Sequence, residues 1–157
     1  MKVKLIVIGK TKSKFLIDGE GEYQKRLKHY CKFSELIIPN IKKASKLSKE
    51  VLKEKEGNLI LASIKNSDYV ILLDDKGLAL TSVDFAEFLN KKMVSSTNEL
   101  VFVVGGAFGF SESVYKRANT KLSLSKMTFS HQMVRMIFKE QLYRAFTILK
   151  GEKYHHE

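Results

Sequence analysis

Leu100-Val-Phe-Val-Val-Gly-Gly-Ala-Phe-Gly-Phe110 decides how this chain folds. Five apolar residues, Leu100 to Val104, predict a strand covered on both faces, as in a parallel sheet. The glycines after it allow positive φ and close approach of main chain to a ligand. Ser111 then caps a short helix through Ala118. A second strand-like run, Leu122–Leu124, opens the polar and aromatic segment Leu122-Ser-Leu-Ser-Lys-Met-Thr-Phe-Ser-His-Gln-Met-Val-Arg135. In an open parallel sheet, ligands sit beyond the carboxyl ends of strands. Leu73, Gly105 and the run Leu124, Ser125, Lys126, Met127, Thr128 and Phe129 would all stand at such ends. Apolar side chains with free backbone N–H and C=O groups suit a neutral heterocycle such as adenine. The glycines come too late in the chain for a dinucleotide fingerprint. The absence of a Lys-Ser/Thr phosphate loop and of an acidic pair for magnesium argues against a nucleoside triphosphate.

Outward from that stretch, strands and helices alternate. Val3–Ile8, Leu36–Ile38 and Val70–Leu73 read as strands, the second stopped by Pro39. Lys14–Tyr30 has helical spacing weakened by Gly19 and Gly21, and Ser48 through Lys65 reads as a second helix. Residues 40–48 are basic and polar, a loop. Asp74-Asp75-Lys76-Gly77 looks like a turn, and Thr81 or Ser82 can cap a helix over Val83–Met93. His131–Lys150 is the longest helix, ended by Gly151. The order predicts an α/β fold: one domain over residues 1–157, a mostly parallel sheet and helices on both faces. The last helix is apolar over most of its circumference, with Met133, Val134, Ile137, Phe138, Leu142, Tyr143 and Phe146, so a second subunit is expected against it.

Lys plus Arg number 28 against 17 Asp plus Glu, a formal net charge of +11. The surplus is uneven: residues 1–60 carry net +8, residues 61–110 net −2, and residues 111–157 net +5. Basic surface at both ends of the chain suits a polyanion, nucleic acid first among them, although solvation alone also accounts for it. Cys31 is the only cysteine, which excludes an internal disulfide and a thiolate metal cluster and fits a reduced, cytoplasmic setting. No apolar stretch approaches membrane-spanning length, and no ligand set for a metal stands out. His131 at a helix start reads as a structural hydrogen-bonder before a catalyst. Arg135 and Arg144, nine apart on the last helix, read as solvated charges, phosphate contacts or a clamp on a partner chain. The tail Gly151-Glu-Lys-Tyr-His-His-Glu157 pairs an aromatic with imidazoles, unusual for a frayed end.

Val101-Phe-Val-Val-Gly-Gly-Ala-Phe-Gly109, Ser123-Leu-Ser-Lys-Met-Thr-Phe-Ser-His-Gln132, Glu140-Gln-Leu-Tyr-Arg-Ala-Phe146 and Gly151-Glu-Lys-Tyr-His155 together resemble the RlmH family of ribosomal large-subunit methyltransferases. Val7-Ile-Gly-Lys10 and Glu22-Tyr-Gln-Lys-Arg-Leu27 extend the likeness along the whole chain. The resemblance implies a SPOUT-type homodimer with a C-terminal trefoil knot, which general topology rules would argue against. It also implies S-adenosylmethionine as methyl donor and N3 of a pseudouridine in helix 69 of 23S rRNA, on the assembled ribosome, as acceptor. It would put Leu73, Gly105 and Leu124 to Phe129 on the donor, and Tyr154 and His155 near the target base. Ser130 stands where a proline is common, and His156 where Lys or Arg is common. A non-catalytic RNA-binding dimer of the same fold is the competing expectation.

Overall fold

The computed structural model describes residues 1–156; Glu157, the end of the tail discussed above, lies outside the described residues. Five strands form one sheet: β1 (Lys2–Ile8), β2 (Lys32–Ile38), β3 (Tyr69–Ala79), β4 (Leu100–Val104) and β5 (Thr120–Ser123). Their order is β2-β1-β4-β3-β5, and every neighbouring pair is parallel. Parallel pairing requires crossovers, which are supplied by α1 (Lys14–Leu27), α2 (Lys49–Ala62), α3 (Ser82–Val94) and α4 (Glu112–Arg117). The last helix, α5 (Met133–Leu149), returns from the β5 edge across the sheet.

Period-two alternation sorts the strand residues between two cores. Val3, Leu5 and Val7 of β1, with Leu100, Phe102 and Val104 of β4, join α1, α3 and α5 on one face. Ile6, Ile8, Val101 and Val103 point the other way, to Ile60 of α2 and Val114 of α4. β4 is buried along its whole length, as a strand covered on both faces must be. Phe102 meets Phe138 of α5 with ring centroids 4.6 Å apart, and Phe85 of α3 edge-on at 6.2 Å. Cys31 is buried in the same core, and burial pushes its thiol up to about 11, so it behaves as a small hydrophobe. The helix starts match their capping signals. Ser48, Thr81 and Ser111 accept hydrogen bonds from Val51, Asp84 and Val114 N–H at 3.2, 3.1 and 3.4 Å. Among the described residues no helix is long and apolar enough to cross a membrane.

Element boundaries differ from expectation at several ends: α1 stops at Leu27 and α2 at Ala62, each three residues early, and β5 runs over Thr120–Ser123, leaving Leu124 outside the strand. β2 begins at Lys32, four residues before the apolar run, because parallel pairing with β1 starts at Lys2↔Lys32 and recruits polar edge residues. α5 begins at Met133, with His131 and Gln132 in the turn before it. The Asp74–Gly77 turn does not end β3. It is an excursion inside the strand: Leu122 pairs with both Leu73 and Leu78, so four residues bow out before the ladder with β5 resumes. Asp74 Oδ1 closes the excursion by accepting from Lys76 N–H at 2.9 Å. Its far side presses on β5, where a Cβ at Gly77 would fall 2.7 Å from the Lys121 carbonyl carbon and 2.8 Å from Leu122 main chain. Neither strand can yield without breaking ladder bonds. Gly77→Ala is therefore expected to cost about 1–3 kcal/mol of stability, read as a lower urea midpoint with an unchanged m-value; an unaltered midpoint would show that the two strands separate freely there.

Candidate functional site

Beyond the carboxyl ends of β4 and β5, and beside the point where β3 bows out, lies a cavity of about 520 Å³. That volume falls within the range of small-ligand sites. Leu73 and the excursion Asp74–Lys76 form one wall, the β4–α4 turn from Gly105 to Phe110 the second, and the β5–α5 segment the third. Of the residues expected there, Leu73, Gly105, Leu124, Ser125, Met127, Thr128 and Phe129 all line it, while Lys126 stands outside the wall. Local hydrogen bonds shape the third wall: Ser123 Oγ donates to Ser125 C=O at 2.8 Å, and Met127 N–H donates to Ser125 Oγ at 2.9 Å. Met127, Phe108 and Phe129 remain exposed apolar side chains around the opening.

The glycine turn is a cradle for the protein's own neighbouring side chains. A Cβ at Gly105 would approach the Phe110 ring to 3.1 Å. One at Gly106 would fall 2.5 Å from Glu56 Oε2. Glu56, on α2, is 6% exposed and its Oε1 is buried without a hydrogen-bond partner. Burial raises its pKa. A carboxyl group so placed behind the turn was invisible in the sequence, where Glu56 reads as a solvated position on a charged helix.

The opposite wall carries two further carboxyl groups, Asp74 and Asp75. Tyr115 Oη donates to Asp74 Oδ2 at 2.5 Å. Burial alone would raise Asp74, but the Tyr115 hydroxyl and the Lys76 N–H outweigh it and hold this carboxyl below its ordinary range. The wall thus presents fixed negative charge to whatever enters. His131 also lines the cavity; burial first, and the Arg135 charge second, lower its pKa and favour the neutral ring.

Arg135 is neither solvated nor on a phosphate-facing surface. It is 1% exposed and donates from Nη2 to Ile8 C=O at 2.6 Å and from Nη1 to Gly9 C=O at 2.8 Å. Its Nε donates to His131 C=O at 3.1 Å. One turn later Lys139, also 1% exposed, bonds Glu20 of α1 at 2.9 Å and Glu35 of β2. These cations fix α5, and so the third wall, against β1, β2 and α1.

The tail lies elsewhere. Tyr154 donates to Glu140 Oε1 at 3.1 Å, stands 3.4 Å from Tyr23 Oη, and sets its ring edge-on to Tyr143 with centroids 4.7 Å apart. Burial, with Tyr23 and Glu140 beside it, raises its pKa, so the phenol stays protonated. Arg144 Nη1 stands 3.3 Å from His155 Nδ1. A guanidinium only donates, so Nδ1 is the acceptor in this contact. Arg144 is thus a clamp on this chain's own tail and on Glu140, to which its Nε donates at 3.0 Å. Between Val134 at the cavity and Arg144 at the tail run ten residues of helix, about 15 Å. Within one chain the two groups of expected site residues are kept apart.

Residues 1–155 match the family described as "Predicted SPOUT methyltransferase". Full-length relatives are similar throughout. A protein of Parabacteroides distasonis is 55% identical over 157 residues, all of both chains. One from Cytophaga hutchinsonii is 54% identical over 156 residues, 99% of this chain and all of its own. One from Bacteroides fragilis is 48% identical over 157 residues, again all of both. Each is named "Ribosomal RNA large subunit methyltransferase H".

Glu56 supplies a pH test of the cradle. Its folded-state pKa is raised, so its ionisation opposes folding once pH climbs past the unfolded carboxylate value. Glu56→Gln should stabilise the protein at about pH 8, with the gain shrinking toward about pH 4, where both states carry the protonated acid. Urea midpoints measured across that range check the sign; a gain that grew on acidification would mean the carboxylate is paired.

Proposed function

The chain belongs to the SPOUT methyltransferase family, and from that premise we propose that it transfers a methyl group from S-adenosylmethionine to ribosomal RNA of the large subunit. The finer acceptor in this reading is N3 of a pseudouridine in helix 69 of 23S rRNA, met on the assembled ribosome in the cytoplasm. The observation that carries it is the end-to-end identity of about 55% to relatives bearing the rRNA methyltransferase name.

The cavity fits the donor. Leu73, Leu124 and Phe129 give apolar cover, and the glycine turn and the Ser125–Thr128 segment border it with main-chain polar groups. Asp74 and Asp75 favour a ligand with positive charge, and a sulfonium donor carries one positive charge more than its demethylated product. When bound, the donor supplies an electrophilic methyl group that needs no metal activation. The remaining work falls to the protein. It must hold the acceptor nitrogen in line at near-attack distance and help N3 lose its proton. In this reading Tyr154 contacts the displaced pyrimidine through its ring or its protonated hydroxyl, and His155 receives the proton.

Because the tail and the cavity are apart in one chain, the proposal includes a homodimer in which the tail of one subunit serves the cavity of the other. Half-buried Met133, Ile137 and Ile148 on α5, and exposed Phe15 and Ile17 on α1, support a partner face there. The trefoil knot belongs to the same reading. It is supported by the path of residues 124–132, which leave the β5 edge, border the ends of β3 and β4 and deliver Arg135 to the end of β1.

Labelled methyl transfer from S-adenosylmethionine to assembled ribosomes, compared with protein-free rRNA, tests the activity, with the modified base mapped by mass spectrometry. Transfer to one pseudouridine, stronger on ribosomes, is expected. Ribosome binding with no transfer would favour the non-catalytic RNA-binding dimer. Deleting residues 154–157 should lower transfer by about 10²-fold or more while donor affinity by calorimetry stays unchanged; full activity in that variant would remove the tail from the mechanism.

A further inference from the structure

We propose that the loops after β1 and β2 form a preorganised lysine rim that docks the phosphate backbone of the RNA beside the cavity, an inference that rests on the RNA-methylating reading above. Residues 9–13 leave the carboxyl end of β1 and residues 39–48 leave the carboxyl end of β2, so both lie on the same edge of the sheet as the cavity. Together with the first residue of α2 they carry Lys10, Lys12, Lys42, Lys43, Lys46 and Lys49, all exposed. Neither loop contains an Asp or a Glu. None of the six lysines takes part in an ion pair among the described residues, whereas Lys4, Lys53, Lys91, Lys116 and Lys139 all do.

The two loops form one continuous, braced surface. They touch where Gly9 meets Asn40: a Cβ at Gly9 would fall 2.6 Å from Asn40 Nδ2. Arg135 fastens the first loop from beneath, donating to Gly9 C=O at 2.8 Å and to Thr11 Oγ1 at 3.2 Å. The second loop is shaped by a left-handed Lys43, with φ 55°, and a 3₁₀ turn over Ala44–Lys46. Two contacts join the rim to the cavity. Lys12 N–H donates to Gln132 Oε1 at 3.0 Å, next to His131 in the cavity wall. Lys49 Nζ stands 5.1 Å from the ring centroid of Phe108, another wall residue.

Charge explains why such a rim is needed. The charged side chains in the cavity wall are Asp74, Asp75 and Lys76, a surplus of negative charge that suits a cationic ligand and repels phosphate. A polyanionic acceptor must therefore be held by positive charge next to the cavity, not inside it. Because the loop backbones are already braced, only the lysine side chains have to be ordered on binding. Phosphate contacts of this kind set position and register, leaving the base for the site itself.

The opposite edge of the sheet provides a matched control. Lys2, Lys28 and Lys32 are exposed there and unpaired among the described residues, about 20 Å away along β1. The test compares Lys12→Gln/Lys42→Gln/Lys46→Gln with Lys2→Gln/Lys28→Gln/Lys32→Gln, two triple variants of equal net charge. Each is titrated with a labelled RNA stem-loop and with ribosomes over a range of salt, and separately with S-adenosylmethionine. The rim variant should bind RNA on the order of 10–100-fold more weakly at physiological salt, with the log–log salt slope reduced by about 2–3, while the control stays close to the parent. Donor affinity should be unchanged in both. Equal loss in the two variants would reveal a diffuse field and overturn the rim. So would no loss in the rim variant, including the case in which only binding to an acidic protein is weakened. Failure of the parent protein to bind the donor would instead count against the methyltransferase reading, leaving the RNA comparison to stand alone.

Discussion

The buried guanidinium of Arg135 is the constraint on which the rest of this structure depends. Its partners are main-chain carbonyls of Ile8 and Gly9, at the point where β1 ends and has no further ladder to satisfy them. A charged donor against neutral carbonyls makes hydrogen bonds stronger than ordinary ones, in a place water does not reach. Lys139, one turn on, binds carboxylates from α1 and β2. Neither cation need make the protein more stable than an apolar side chain would. Removing Lys139, however, would strand two buried carboxylates, at a cost of about 3–5 kcal/mol, and removing Arg135 would leave buried carbonyls unpaired. Such groups select one placement of α5 over the many that an apolar face would tolerate. His131 and Gln132, immediately upstream, inherit that placement, and through Gln132 so does the first loop.

Around that anchor the carboxyl edge of the sheet is divided by charge. The β3 excursion carries acids, with Asp74 kept ionised by Tyr115 and by the turn it closes. The loops after β1 and β2 carry lysines only. The β4 turn between them carries no charge at all, and its glycines let Glu56 approach from the other face of the sheet. On the proposed reading, a donor bearing a positive charge and an acceptor bearing many negative ones would be met by separate surfaces a few residues apart.

Much of this was legible in the sequence, and the exceptions share a cause. Leu100–Val104 could be read as a central strand because all five side chains are apolar, and it is buried on both faces. Thr81 and Ser111 could be read as caps because capping is a local interaction. The cavity residues could be placed because parallel strands send their ligand sites to one edge. What escaped was decided by partners distant in the chain. Asp74–Gly77 has the composition of a turn, and only pairing with β5 makes it an interruption of a longer strand. Arg135, Lys139 and Glu56 look like surface charges because the groups that cover them come from β1, α1, β2 and the β4 turn. The separation of Tyr154 and His155 from the cavity was likewise hidden, since motif resemblance carries no distances.

That separation sharpens the chemistry asked of the tail. His155 Nδ1 stands beside Arg144 Nη1, a group that only donates, so that nitrogen is already engaged as an acceptor. A proton acceptor in this arrangement must first exchange the guanidinium for the acidic N–H of its substrate. Tyr154 cannot substitute as a base, because burial, Tyr23 and Glu140 all favour its protonated form. Arg144 is held at the same time by Glu140, which gives the arginine somewhere to remain when the imidazole leaves. The free chain therefore stores its tail with Tyr154 and Arg144 on Glu140 and with His155 beside Arg144. On the dimeric reading, arrival of the RNA base releases that stored arrangement, and the acidity of pseudouridine N3 competes directly with one arginine hydrogen bond.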